Sequence, residues 1–127
     1  MHLFNLRVYY EDTDLAGIVY YANYLKFIER ARSEWVRDLG IDQAQMKAEG
    51  LVFAVRRVVA DYLLPARYDD LLCVETKLLP GSGARLVLQQ DVKRGDATLF
   101  SATVTIICMT TDGAMTRLPA AIRRATR

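Results

Sequence analysis

Asn23 to Leu39 reads NYLKFIERARSEWVRDL, and the fold turns on that stretch. Apolar residues recur at Tyr24, Ile28, Ala31, Trp35 and Leu39 with the 3.6-residue period of a helix, so one stripe must face a core. Lys26, Arg30, Ser33 and Arg37 fill the opposite, polar face. Asn23 suits an N-cap, unless the helix begins a turn earlier, and Gly40 suits a left-handed stop just past the helix end. A second, short helix is predicted behind it, with Asp42 and Gln45 in capping-box spacing and Gly50 as terminator.

On either side of these helices the pattern is β. Leu3 to Tyr10 alternates, with Leu6, Val8 and Tyr10 on one side and Asn5, Arg7 and Tyr9 on the other, as in a half-buried strand. After Gly50 the candidates are Leu51–Leu64, long enough to require a bend or bulge, then Leu71–Leu79, Arg85–Lys93, Thr98–Met109 and Ala114–Leu118. Turn residues separate them: Pro65 with Asp69-Asp70, Pro80-Gly81-Ser82-Gly83, Arg94-Gly95-Asp96 and Asp112-Gly113. The last three connections are short, so they predict antiparallel neighbours in a meander. One long helix with five or six strands gives an α+β fold, a curved antiparallel sheet wrapped around the helix, in one domain spanning residues 1–127. The open edges of such a sheet predict pairing with a second subunit, hence at least a dimer.

Composition excludes several classes of function. A net charge of +2 with scattered basic residues is a poor footprint for nucleic acid. Only Arg123, Arg124 and Arg127 make a locally basic tail, expected to be a solvated terminus. Cys73 and Cys108 sit in β-rich apolar runs and read as two buried thiols, with neither a disulfide framework nor metal-ligand spacing. There is no signal-peptide pattern at the start and no apolar run near the ~20 residues that span a bilayer, so a soluble cytosolic protein is expected. The only histidine, His2, is expected to fray with the N-terminus, which removes His-dependent nucleophilic triads, His proton shuttles and His-rich metal sites. Any chemistry then falls to carboxylates, tyrosines, lysines or backbone groups.

Such groups are concentrated just before the helix, in Tyr9–Tyr24, YYEDTDLAGIVYYANY. Asp12 and Asp14 stand on a polar turn, Thr13 between them is placed to hydrogen-bond either carboxylate, and Gly17 permits close backbone approach or a positive φ. A carboxylate beside a helix N-terminus suits attack on an ester-like carbonyl, or deprotonation of water next to it, with free N–H groups polarising that carbonyl. From spacing alone an Asx-turn or capping role is the commoner one for Asp14, and more so for Asp12. Tyr20, Tyr21 and Tyr24 are read either as core or as the lining of an acyl pocket. Glu29, on the flank of the helix, reads as a solvated or paired carboxylate.

The pattern Tyr10-x-x-Thr13-Asp14-x-x-Gly17-Ile18-Val19-Tyr20-Tyr21-x-Asn23-Tyr24, with Glu29-Arg30-Ala31-Arg32 after it and Pro65-Ala66-Arg67-x-Asp69-Asp70 between strands, resembles the hotdog-fold acyl-CoA thioesterases. The likeness covers nearly the whole chain. Within that fold it is similar to the 4-hydroxybenzoyl-CoA thioesterase-like branch, above all to the Tol–Pal-associated acyl-CoA thioesterases of Gram-negative bacteria. The resemblance implies hydrolysis of acyl-CoA to free acid and CoA without a metal or other cofactor. It assigns Asp14 as nucleophile or general base and the Tyr21 backbone N–H as oxyanion donor, with Gly17 in the same turn. It implies substrate contacts at Tyr20, Asn23, Tyr24 and Glu29. Many Tol–Pal-associated members carry histidine where this chain has Tyr21, whereas the hydroxybenzoyl branch has tyrosine, so only the backbone role transfers intact. For the CoA phosphates the candidates are Arg85 with the Gly81–Gly83 loop, then Arg56, Arg57 and Lys77. Arg56 and Arg57, adjacent on a strand, are expected to point to opposite faces. The resemblance also implies a dimer of dimers, a location near the inner membrane and lipid-synthesis or envelope-associated partners. A non-catalytic acyl-CoA-binding or scaffold protein of the same fold is the alternative.

Overall fold

The structure, a computed structural model, describes residues 1–125. Its elements in chain order are β1 (His2–Arg7), a 3₁₀ turn (Tyr10–Asp12), α1 (Asn23–Asp38), α2 (Gln43–Ala48), β2 (Leu51–Tyr62), β3 (Leu71–Leu79), β4 (Arg85–Arg94), β5 (Ala97–Thr110), β6 (Met115–Thr116) and α3 (Ala120–Ala125). The main sheet runs β1-β3-β4-β5-β2, with β6 paired to β5, and every pairing is antiparallel.

Strict alternation builds the face that receives α1. Leu72, Val74 and Thr76 on β3, Leu86, Leu88, Gln90 and Val92 on β4, and Ala102, Val104, Ile106 and Cys108 on β5 are all buried. They meet Tyr24, Phe27, Ile28, Ala31 and Val36 of the helix. Trp35 and Leu39, assigned to the stripe from spacing, are only half-buried, and Val36 is buried in their place. Two polar side chains interrupt the apolar face for a reason. Gln90 Nε2 donates to the Ile28 carbonyl at 2.9 Å and to Thr76 Oγ1 at 3.0 Å, tying sheet to helix.

The helix stops follow the sequence. Gly40 takes φ +84°, and Asp42 Oδ1 caps α2 by accepting from the N–H groups of Ala44 and Gln45. The short connections place β3, β4 and β5 side by side. β2 departs from the expected meander: it crosses to the far edge beside β5, with a register shift between Val55 and Arg57 that supplies the predicted bulge. At that shift the strand's strict alternation breaks, and Arg56 and Arg57 are both exposed.

Both termini depart from expectation. β1 ends at Arg7, and Tyr10, expected to face inward, sits in the 3₁₀ turn at 82% exposure because the chain leaves the sheet there. His2 opens β1, paired with Thr76 of β3, and its Nε2 lies 3.0 Å from Asp38 Oδ2 at the far end of α1. It is therefore an ordered residue remote from the helix start. At the other end, α3 buries Ile122 and carries Arg123 and Arg124, while Arg127 lies outside the described residues. Cys108 is buried, Cys73 is half-buried, and neither is in a disulfide. No helix among the described residues is long and apolar enough to cross a membrane.

Candidate active site

Asp12–Asp14 and Ile18–Tyr20 form a small hairpin that runs directly into α1. Tyr20 N–H donates to the Asp12 carbonyl and Asp14 N–H to the Ile18 carbonyl, each at 2.9 Å. Gly17 makes the turn at φ +79°, donating to the Asp14 carbonyl at 3.0 Å. A Cβ there would meet nothing within 4 Å, so the left-handed backbone selects glycine and crowding does not.

Asp14 is half-buried. Its Oδ1 accepts from Ala16 N–H at 3.0 Å, whereas Oδ2 meets no donor among the described residues. The Asx-turn bond orients the carboxylate and leaves its second oxygen without a donor, so a turn role and a chemical role are compatible. Asp12 is a turn residue, its Oδ2 accepting from Tyr9 N–H at 2.8 Å. Thr13 reaches neither carboxylate and donates to the Tyr10 carbonyl at 2.7 Å, because the 3₁₀ turn brings that oxygen under its hydroxyl.

Asn23 does not act as the N-cap. Its Nδ2 donates to the Asp12 carbonyl at 2.9 Å, binding hairpin to helix, and the cap position falls to Ala22, whose side chain offers no oxygen. The N–H groups of Tyr21 and Ala22, at the entry to the helix, have no acceptor among the described residues. Helix-start N–H groups carry roughly half a positive charge between them, so an uncapped start is a ready site for a developing oxyanion.

The loop after β2 supports this arrangement. Val19 N–H donates to the Ala66 carbonyl at 2.8 Å, Ile18 bridges to Arg67, and Ala66 N–H donates to the Tyr24 hydroxyl at 3.0 Å. Tyr24 is core, stacked on Phe100 with centroids 5.0 Å apart, and burial pushes its hydroxyl pKa up. Arg94 Nη1 reaches Asp70 Oδ2 at 2.8 Å and the Pro65 carbonyl at 3.2 Å. Burial pushes the Asp70 carboxyl up, but the Arg67 N–H and the Arg94 guanidinium outweigh it and hold the pKa below the ordinary value. A carboxyl depressed in the folded state contributes stability above its unfolded pKa and loses it as pH falls through the folded value. Asp70→Asn is therefore expected to lower stability by about 1 kcal/mol at pH 7, for a charge-assisted bond discounted for solvent screening. The deficit should begin to shrink as pH falls to about 4, the unfolded carboxyl value, and vanish only below the lower folded value, as denaturant curves at several pH values would show.

Tyr20 and Tyr21 are exposed, their centroids 4.9 Å apart. Beside them Ile18, Tyr21, Tyr24, Tyr62, Leu63 and Leu64 line an open, mainly apolar pocket of about 320 Å³. Tyr62, at the end of β2, carried no signal in the sequence beyond membership of a strand. Glu29 lies elsewhere, accepting from the Ser33 hydroxyl at 3.0 Å and lining a cleft of about 160 Å³ between α1 and β2. That cleft also holds Arg32, whose guanidinium pKa is lowered by burial and partly restored by Glu29. Arg85 does not join Asp14 within the chain. It opens β4, whereas Arg94 beside the site closes it, so nine residues of strand or about 30 Å separate them. The basic residue the fold sets beside the hairpin is Arg67, exposed and bridged to Ile18.

Residues 8–126 match the thioesterase-like superfamily. The acyl-CoA thioesterase YbgC of Haemophilus influenzae is 43% identical over 107 residues, covering 84% of this chain and 79% of that protein. The acyl-CoA thioester hydrolase YbgC of Escherichia coli O157:H7 is 41% identical over 105 residues, covering 82% and 78%. Among solved structures, a probable thioesterase from Bartonella henselae superposes with a TM-score of 0.89 at 39% identity, over 93% of this chain and 98% of that one. The 1,4-dihydroxy-2-naphthoyl-CoA thioesterase of Synechocystis, at 20% identity and a TM-score of 0.90 over 98% and 94%, shares the fold. With its sheet curved around one long helix, and with these relatives along most of its length, the chain belongs to the thioesterase-like superfamily of hotdog proteins, alongside the YbgC acyl-CoA thioesterases.

Proposed function

We propose that this protein hydrolyses acyl-CoA thioesters to free acid and CoA, with Asp14 as the attacking or water-activating carboxylate and the Tyr21 N–H as the oxyanion donor. The observation that carries the reading is the pairing of a half-buried Asp14 with an unspent Oδ2 and an uncapped helix start on the same hairpin. The carbonyl oxygen of the thioester binds at the helix start. The Asp14 carboxylate either attacks the carbonyl carbon, giving a mixed anhydride that water then opens, or takes a proton from the water that attacks. The tetrahedral oxyanion is held by the N–H group, a donor of the kind worth about 3–4 kcal/mol in the transition state. Collapse expels the CoA thiolate, which leaves well without a strong general acid, so the site can work without a histidine. Gly17 serves by turning the hairpin, and the apolar pocket beside Tyr21 suits the acyl group. The Asn23 amide, donating through Nδ2 to the Asp12 carbonyl, ties the hairpin to the helix and so holds the site's shape.

We infer that residues 1–127 make a single domain and that it works as a homo-oligomer. β2 ends the sheet with one edge unpaired and exposes Val55, Val58 and Val59, an edge suited to strand pairing with a second copy. The test is release of free thiol from a panel of short, long and aromatic acyl-CoAs. Turnover of at least one of them supports the reading. Tight acyl-CoA binding with no thiol released would favour a binding protein. Hydroxylamine trapping of an acyl group on Asp14 distinguishes direct attack from base catalysis.

A further inference from the structure

Tyr62 lies 41 residues from Tyr21 in the chain, yet its hydroxyl donates to the Tyr21 carbonyl at 3.1 Å. That carbonyl stands outside the helical ladder, since Leu25 N–H donates to Ala22 instead, at 3.2 Å. Two successive peptide planes cross the helix start. The Tyr20–Tyr21 plane, which carries the Tyr21 N–H, is pinned through the Tyr20 carbonyl by Asn23 N–H at 2.8 Å. The Tyr21–Ala22 plane, which carries the Ala22 N–H, has the Tyr62 hydroxyl as its holder. Without that bond it would be free to rotate about the bonds flanking it, carrying the Ala22 N–H out of line and loosening Tyr21.

The Tyr62 hydroxyl is itself held in place. Its ring packs edge-on against Phe100 at 5.0 Å, Tyr24 at 5.7 Å and Tyr21 at 6.1 Å. Phe100 is fully buried, so the clamp is anchored to the core of the sheet. We propose that Tyr62 is a positioning residue of the site: its hydroxyl fixes the Tyr21–Ala22 peptide, so that the Ala22 N–H stays aimed at the thioester carbonyl beside the Tyr21 N–H. The inference rests on the hydrolase reading of Asp14 and Tyr21.

Tyr62→Phe tests it, because the substitution keeps the ring contacts and removes one hydroxyl. The expected result is a kcat reduced roughly threefold to tenfold, the span of one net hydrogen bond, with KM within about twofold and Tm within about 2 °C. A second readout uses the Asp14→Asn background, in which bound acyl-CoA persists. There the infrared stretch of the thioester carbonyl should move back toward its solution frequency when Tyr62→Phe is added, a change that loss of packing alone would not produce. An unchanged kcat or an unmoved carbonyl band overturns the proposal. So does a fall in Tm that accounts for the lost activity, or a failure of the variant to fold, since the hydroxyl would then be structural. The underlying hydrolase reading is judged separately in the wild-type chain. No thiol release from any acyl-CoA sinks both, whereas an active wild type with an unaffected Tyr62→Phe sinks this inference alone.

Discussion

Asp14→Asn should reduce thiol release from acyl-CoA by roughly 10²- to 10⁴-fold, the range for loss of a positioned acid–base group, while leaving the fold intact. Asparagine keeps the size of the side chain and the oxygen that accepts from Ala16 N–H, so the Asx turn and the hairpin survive. The free oxygen loses its charge, and with it the capacity to attack the carbonyl or to take a proton from water. No histidine stands ready to substitute, because the chain's single one is tied to Asp38 at the far end of α1. The check is kcat measured beside Tm and near-ultraviolet circular dichroism. A correctly folded variant with wild-type turnover would remove Asp14 from the mechanism.

Phe100→Ala should cost about 3–5 kcal/mol of stability, the range for emptying a buried aromatic position. Phe100 is fully buried, stacks on Tyr24 at 5.0 Å with an interplanar angle of 11°, and meets Tyr62 edge-on at 5.0 Å. Its loss removes buried area and two specific aromatic contacts at once. A domain of this size holds about 5–15 kcal/mol in all, so the variant should sit near the edge of folding at 37 °C. Urea denaturation gives the value directly, and a loss below about 1 kcal/mol would show that the site's aromatic cluster is not anchored through Phe100. Because Tyr24 and Tyr62 both lean on this ring, activity of the surviving folded fraction should fall too.

Local features were legible in the sequence wherever the signal itself was local. The stripe of α1, the alternation of β3 to β5, the left-handed stop at Gly40 and the positive φ at Gly17 all follow from residues within one or two turns of one another. The Leu71–Leu79 strand has the expected bounds, and the two strands after it extend by only a residue or so. The same local rules misplaced Asn23, Thr13 and His2. Each has the chemistry of the expected role, but another partner claims it: the Asp12 carbonyl for the Asn23 amide, the nearby Tyr10 carbonyl for the Thr13 hydroxyl, and the distant Asp38 for the His2 ring. Arg85 was selected for its charge and its glycine-rich neighbour, and only the fold shows that it stands at the opposite end of β4 from Arg94.

By itself, then, the sequence determined that this chain builds one long helix on an antiparallel sheet, and that an acid turn leads into the helix, because helix and strand periods and glycine's backbone freedom act over a few residues. The tertiary structure decided what that turn can do. Placing β2 at the edge beside β5, a non-local choice made by sheet packing, carries Tyr62 across 41 residues to the Tyr21 carbonyl. Starting α1 after Ala22, with Asn23 Nδ2 tied to the Asp12 carbonyl, puts a residue without a side-chain oxygen at the cap position. N–H groups and a carboxylate oxygen left without a partner among the described residues depend on which groups come within reach, and only the assembled fold settles that.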